Sequence, residues 1–405
     1  MPSINADLIY SVSKAISTGT LTSDGELGAG GATPVSASSE TDIDNVDTSS
    51  FADGQVVYLS GPKQLFVWND SDESFAEIRV FSDYKMTGIG QATTSGYMGG
   101  GQTGTGNVGS GSNVIDKWSL TSNGNATDVG DLLEGTGENS GFMSPSHGYS
   151  SGGNTPSYGP YLTRIQKYPF ASDGDATNVG NLASNVGRGQ QGSVSAGATN
   201  KAYSTGGFIS SSSTVQGNST MIYSLASDGN STLSGSGGFG TGDPAGIIGI
   251  EHGYFVGGRG PMPSTSIGST AVGKFAFTSE TFESHPATIT SGWMGSSGHQ
   301  SGTDGYYVGG FRNPPSNYMR DIYKFPFASD TTISDIGYNA TQLGMSDGVS
   351  SQTFGFRSGA QPMLVGYPSS TIVNVIDKFP FANNANSSDV GDLTVARARG
   401  SVSQT

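Results

Sequence analysis

The 405-residue chain contains no cysteine, which excludes disulfides, thiolate metal sites and thiol nucleophiles. Positive charge is scarce: 18 Lys and Arg stand against 33 Asp and Glu, for a formal net charge of −15. A nucleic-acid partner needs a cationic face to displace counterions, and none is visible. The same imbalance disfavours anionic lipid surfaces. No apolar run reaches the roughly 18 residues that a membrane helix requires, and the N-terminus lacks the pattern of a secretory signal. These absences predict an acidic, soluble chain made in a reducing compartment or indifferent to redox state. Apolar residues are also sparse, at 33%, while glycines number 64. That composition alone would suggest low-complexity disorder.

What the chain has instead is a period. An aromatic followed after two residues by a glycine pair occurs at Tyr97 (Gly100-Gly101), Tyr149 (Gly152-Gly153), Tyr203 (Gly206-Gly207), Tyr254 (Gly257-Gly258) and Tyr306 (Gly309-Gly310). A degraded sixth copy is Phe356 (Gly359-Ala360). The aromatics step by 52, 54, 51, 52 and 50 residues. A second marker, an apolar-aromatic segment after each pair, places Trp118, Tyr168, Tyr223, Phe275, Phe325 and Phe379 at steps of 50, 55, 52, 50 and 54. Two markers in one phase define a repeat architecture, and four short strands in about 50 residues is the size of a propeller blade. Glycines then serve as turn and close-packing residues.

The ends of the repeat region predict closure. Residues 397–405 match Gly187-Arg188-Gly189 through Ser195, so they supply a first strand and stop before its Tyr-x-x-Gly-Gly partner. The Tyr97 strand lacks an unambiguous first strand, although Gly88-Ile89-Gly90-Gln91-Ala92 competes for that place. Pairing the two ends completes a sixth blade and removes both open edges. The expected fold is all-β: a six-bladed propeller over 86–405, preceded by two smaller regions. Residues 1–40 read as an anchor, with Leu8, Ile9, Val12 and Ile16 at helical spacing behind Asn5, followed by a Gly/Ser/Thr-rich linker. Residues 41–85 read as a three-stranded module with strands over 55–60, 64–69 and 74–80.

The arginine-glycine first strand, the aromatic segment ending in Gly-Gly, the aromatic third strand and the polar turn before the fourth resemble the kelch repeat family. The fourth-strand tryptophan of that family is missing here, and third-strand phenylalanines are expected to fill its space. The wording Lys324-Phe325-Pro326-Phe327-Ala328-Ser329, with Asp389-Val390-Gly391-Asp392-Leu393 after a later copy, is similar to a divergent group in marine bacteriophage structural proteins. The 55–69 module is similar to modules of phage tail and fibre proteins. The resemblance implies a virion component, assembled in the host cytoplasm. Residues 1–85 would attach to other virion proteins, and the chain would be a homo-oligomer with its propeller facing a host surface glycan or protein.

Propellers host enzymes and passive binders alike, so fold does not settle function. The cysteine-modified tyrosine of kelch-like copper oxidases is impossible here. His147 and His252 precede equivalent repeat aromatics and could face each other across a metal, or serve as polar turn residues. Eight scattered arginines, among them Arg188, Arg397 and Arg399 at first strands, form no cluster of the sialidase kind. Asn123-Gly124-Asn125, Asp173-Gly174-Asp175 and Asp228-Gly229-Asn230 resemble fragments of calcium loops without the required spacing, and they are also preferred hairpin turns. No catalytic residue, metal site or cofactor is therefore expected. The unequal loops after each glycine pair emerge on one face and carry Tyr158, Tyr161, Phe208, Phe311, Arg312, Asn313, Asn317 and Tyr318. Variable loops on a rigid scaffold suit recognition, and aromatics beside Asn and Arg suit sugars or a protein surface.

Overall fold

A computed structural model of the chain describes residues 92 and 94–405, apart from 105–110, 156–160, 184–186, 197–198, 210–217, 236, 261–267, 284, 286–287, 290–291, 313–316, 330–332, 341–342 and 363–371. Before residue 92 it describes four strands by their backbone. The chain divides into two units, Met1–Tyr84 and Lys85–Thr405.

The first unit holds one sheet in the order Ser36–Ser38, Val56–Leu59, Gln64–Asn69, Ser74–Ile78. The last three form the expected meander, paired antiparallel with Tyr58 opposite Leu65 and Trp68 opposite Phe75. The first strand corrects the sequence reading: Ser36–Ser38 lies in the supposed linker, yet it pairs parallel with Val57–Leu59. A Ser-Ala-Ser triplet carries no hydrophobic signal, because a short edge strand is held by backbone bonds. The helix expected over residues 5–16 lies outside the described residues.

The second unit is a six-bladed β-propeller of antiparallel sheets. Blade 1 takes its innermost strand, Ser401–Gln404, from the C-terminus and continues with Ser95–Gly99, Ser112–Ser119 and Thr127–Thr136. The innermost strands of blades 2 to 6 are Ser140–Met143, Gly192–Ala196, Ala245–Ile248, Ser297–Gln300 and Asp347–Ser350. Each of the six contacts the next, and the sixth contacts the first, so they enclose an axis. The predicted closure is present: Ser401 pairs with Gly99, Ser403 with Tyr97 and Gln404 with Gly96. Ala92 does not compete for that place. Its N–H donates instead to the Ser350 carbonyl of blade 6 at 2.8 Å.

The core is divided into six clusters, one between each pair of adjacent blades. All six repeat aromatics are buried in them. The phenylalanine that follows the third strand of the next blade lies against the repeat tyrosine: Tyr97 with Phe170 at 4.7 Å, Tyr254 with Phe327 at 5.3 Å, and Tyr306 with Phe381 at 4.6 Å between centroids. Such pairs contribute about 0.5–1.5 kcal/mol each beyond the area they bury. The glycine pairs lie toward the ends of second strands with left-handed backbone, as at Gly152 (φ 64°) and Gly153 (φ 87°). A Cβ on Gly152 would lie 2.2 Å from the Arg188 carbonyl oxygen of the connection into the next blade. Gly359 keeps this conformation at φ 53°, whereas Ala360 has no positive φ, so the degraded copy still works.

The polar wording of the repeats joins blades at their outer strands. Lys117 pairs with Asp173 of the next blade at 3.0 Å, and Lys167 with Asp228 at 2.6 Å. Lys378 donates to Asn123 across the closure at 2.6 Å. Two residues on in these turns, Asp175, Asn230 and Asn125 accept from the backbone N–H of Asp131, Asn181 and Asp392 at 2.9, 2.9 and 3.1 Å. Exposed ion pairs contribute little, about 0–1 kcal/mol; their effect here is to fix blade register.

Removing Ser401–Thr405 strips blade 1 of its innermost strand and exposes the backbone edge of Ser95–Gly99. The truncated chain should lose the cooperative thermal transition of the full chain and aggregate, as followed by circular dichroism and light scattering. An unchanged melting temperature would refute the closure.

Candidate functional site

The connections from each fourth strand to the next first strand meet at one mouth of the axial channel. Each contributes a residue in the left-handed region: Glu138 (φ 61°), Gln190 (56°), Asp243 (60°), Gly295 (63°), Met345 (59°) and Arg399 (56°). Five of the six are not glycine, a conformation that costs of order 1–3 kcal/mol each and persists only when surrounding contacts over-determine it. The compensation is a closed hydrogen-bond ring. The N–H of Glu138 donates to the Arg399 carbonyl, that of Gln190 to Glu138, and that of Asp243 to Gln190, all at 2.8 Å. Gly295 donates to Asp243 at 3.4 Å, Met345 to Gly295 at 2.6 Å, and Arg399 to Met345 at 3.2 Å.

Three residues further on, the first strands press together. This level holds Gly141, Ser193, Gly246, Gly298, Gly348 and Val402, and a Cβ on Gly246 or Gly298 would lie 2.1 Å from the carbonyl oxygen of Ser193 or Gly246. Two residues beyond that, side chains of one blade accept from the backbone of the blade before. Met143 N–H donates to Ser195 Oγ at 3.0 Å, Gln300 N–H to Ser350 Oγ at 3.0 Å, and Ser350 N–H to Gln404 Oε1 at 2.6 Å.

The channel encloses about 120 Å³ and is lined at the ring by Glu138, Gln190, Asp243, Asp347 and Arg399. Glu138 is the hub. One of its oxygens accepts from Arg399 Nη1 at 2.6 Å and from Gln190 Nε2. The other accepts from Asn154 Nδ2 at 3.1 Å and Tyr161 OH at 3.4 Å. Arg399 also approaches Asp243 Oδ2 at 3.7 Å. Arg259 lies over the Phe208 ring at 5.3 Å, and burial lowers its pKa, with the nearby Arg399 charge adding to the effect.

Asp347 occupies a position that is Ser140, Ser297 and Ser401 in three other blades. Burial pushes its carboxyl up to about 8, with Asp243 adding to the shift. The Gly400 N–H at 2.9 Å and the cations of Arg399 and Arg397 oppose it. The mouth can therefore accept and donate hydrogen bonds without a large net charge.

The sequence-selected loop residues divide. Tyr161 reaches the mouth through Glu138. Phe208 is not an exposed loop aromatic: it is fully buried, and a Cβ on Gly242 would meet its ring at 2.4 Å. Phe311 is half-buried and belongs to a hairpin rather than a loop, with Phe311 opposite Tyr318 and Arg312 opposite Asn317 as the second and third strands of blade 5 run on. Tyr158 and Asn313 lie outside the described residues, as do the side chains of Arg312, Asn317 and Tyr318. The base of each loop is clamped: Phe208 N–H donates to the Gly189 carbonyl at 2.9 Å, and Phe311 and Met294 exchange two bonds of 2.9 Å.

His147 bonds Ser146 at 2.8 Å and His252 bonds Glu283 at 3.1 Å, each at the start of a second strand. No group of three His, Asp or Glu side chains suited to a metal ion occurs among the described residues. Arg397 is structural, donating to Met98 O at 2.9 Å and Val114 O at 2.8 Å and pairing with Asp116 at 2.9 Å. Glu138, Gln190, Asp243 and Asp347 escaped the sequence reading. Their only signal is position, just before or at the start of a first strand, in connections of unequal length.

No protein-family model matches the sequence, and no curated protein matches it. The solved structure of YjhT is similar, with a TM-score of 0.54 at 11% identity, covering 76% of this chain and 98% of that one. At that identity the likeness is one of fold.

Two buried groups give stability a worked pH dependence. Asp347, near 8 in the folded chain against about 3.9 unfolded, contributes stability that is complete below about pH 4 and is lost as pH rises through 8. Burial lowers His299 to about 3, so its contribution is complete above its unfolded value of about 6.5 and is lost as pH falls through 3. The two oppose each other between about pH 4 and 6.5. From about pH 6.5 to 8 Asp347 acts without that opposition, and stability should fall by up to about 1.4 kcal/mol per pH unit. Asp347→Asn should flatten that decline in urea titrations; an identical decline in the variant would contradict the assignment.

Proposed function

We propose that the chain is a non-catalytic recognition component of a bacteriophage particle, attached through residues 1–85 and displaying its propeller toward the host surface. The observation that carries the recognition part is the gathering of two sets of connections on one face. Second-to-third and fourth-to-first connections surround a single channel mouth, where Tyr161, Asn154 and Arg399 converge on Glu138. Below that face the six-blade ring holds its strands rigidly, so loops can vary without disturbing the scaffold. The virion placement is supported by sequence wording that resembles that of phage structural proteins and by the two-unit organisation. Attachment through a small separate unit also suits a homo-oligomeric fibre or baseplate part. The acidic balance favours no nucleic-acid role.

One observation favours a second reading, a glycan-cleaving enzyme. Asp347, held up to about 8, stands in the field of a second carboxyl, Asp243, and acid-base hydrolases use such pairings. Against it, Asp347 is tied to the Gly400 backbone within the channel wall.

Antibodies raised against the full chain should label purified phage particles and slow their adsorption to host cells at least tenfold. Unlabelled particles would end the virion reading. Labelled particles that adsorb normally would leave a decoration or joining protein in its place. Release of reducing sugar from host envelope polysaccharide, abolished by Asp347→Asn, would replace recognition by hydrolysis.

A further inference from the structure

The geometry points to a subsite for an uncharged, polyhydroxylated group, the terminal unit of a neutral glycan, at the axial mouth beside Gln190 and Asp243. This rests on the recognition reading of the propeller and names what that face takes.

The argument begins with hydrogen-bond direction. Gln190 is only 8% exposed, and its Nε2 donates to the Glu138 carboxylate, a group that only accepts. That contact fixes the amide orientation and leaves Oε1 as an acceptor with no hydrogen-bond partner. Asp243 Oδ2 likewise has no hydrogen-bond donor, its nearest cation being Arg399 at 3.7 Å. Glu138, by contrast, is saturated by four donors. On Gln190 and Asp243 the unpartnered atoms are acceptors, so a ligand group that meets them must donate. Hydroxyls and ammonium groups do so; a carboxylate does not.

Charge then separates the two donors. Glu138 and Asp243 are matched by Arg399 and Arg259 in the same cluster. An ammonium group would be repelled by the guanidiniums, and an anion by the carboxylates. The overall charge of −15 further opposes an acidic polymer. A neutral hydroxyl both donates and accepts, and it meets neither penalty.

Size sets how much of the ligand enters. The channel holds about 120 Å³, below the roughly 300–1,000 Å³ of a pocket that engulfs a drug-sized molecule. One terminal unit reaches in, and the remainder lies across the loops, where the half-buried Tyr161 ring offers an apolar face.

Isothermal titration of the full chain with neutral glucan, mannan and galactan tetrasaccharides, with tetragalacturonate as anion and fully deacetylated chitotetraose as cation, tests this. At least one neutral sugar should bind more tightly than both charged ones. Asp243→Asn and Gln190→Met should each weaken it tenfold or more at unchanged melting temperature. Preference for a charged oligomer, binding by no neutral sugar, or affinities untouched by both variants would overturn the subsite. If either variant lowers the melting temperature, competition of the neutral sugar against adhesion of the wild-type chain to host cells decides, and no competition overturns it. Adhesion that survives both variants would refute the subsite alone, whereas a wild-type chain that never adheres would refute the recognition reading itself.

Discussion

Six backbones converging on one axis is the constraint from which the rest of the molecule follows. First strands that approach until a single Cβ would strike a neighbouring carbonyl need mostly small residues at the level of closest approach, so the axis itself buries almost no apolar surface. The apolar side chains of these strands, such as Phe142, Val194 and Ile247, join the clusters between blades. Stability has to come from elsewhere. It comes from the wedge-shaped spaces between blades, each filled by a repeat aromatic and the third-strand aromatics of its neighbour. The low apolar content is thus spent almost entirely on six interfaces, which explains how a glycine-rich sequence avoids disorder.

The axis also concentrates strain. Five non-glycine residues hold left-handed backbone around the mouth, and the N–H to carbonyl ring keeps them there. Their side chains are thereby placed in one small volume, although they come from segments separated by roughly a blade each. The polar cluster around Glu138 is a product of that ring, with no stretch of sequence containing more than one of its left-handed positions.

Much of this was legible and some was not. Repeat spacing identified the blades, and the match between residues 397–405 and Gly187 to Ser195 identified the closing strand, because both rest on side chains that recur. The Asp-Gly turns were correctly open to a reading as turns, and the structure gives their carboxylates to lysines and backbone amides of the next blade. Phe208 misled because a loop position says nothing about whether its ring folds back; it lies beneath Arg259. Ser36–Ser38 was invisible because parallel edge pairing uses only backbone.

By itself, the sequence determined the number of blades, the aromatic spacing between them and the ends that must join, since periodic side chains encode periodic interfaces. Only the tertiary structure decided where the candidate site lies. Asp347 differs from the serines at its sister positions by one substitution that composition cannot rank, and Gln190, Asp243 and Glu138 sit in connections of unequal length and wording. Closing the ring brings them within hydrogen-bonding distance, because contact across the axis depends on angle around the ring rather than on separation along the chain.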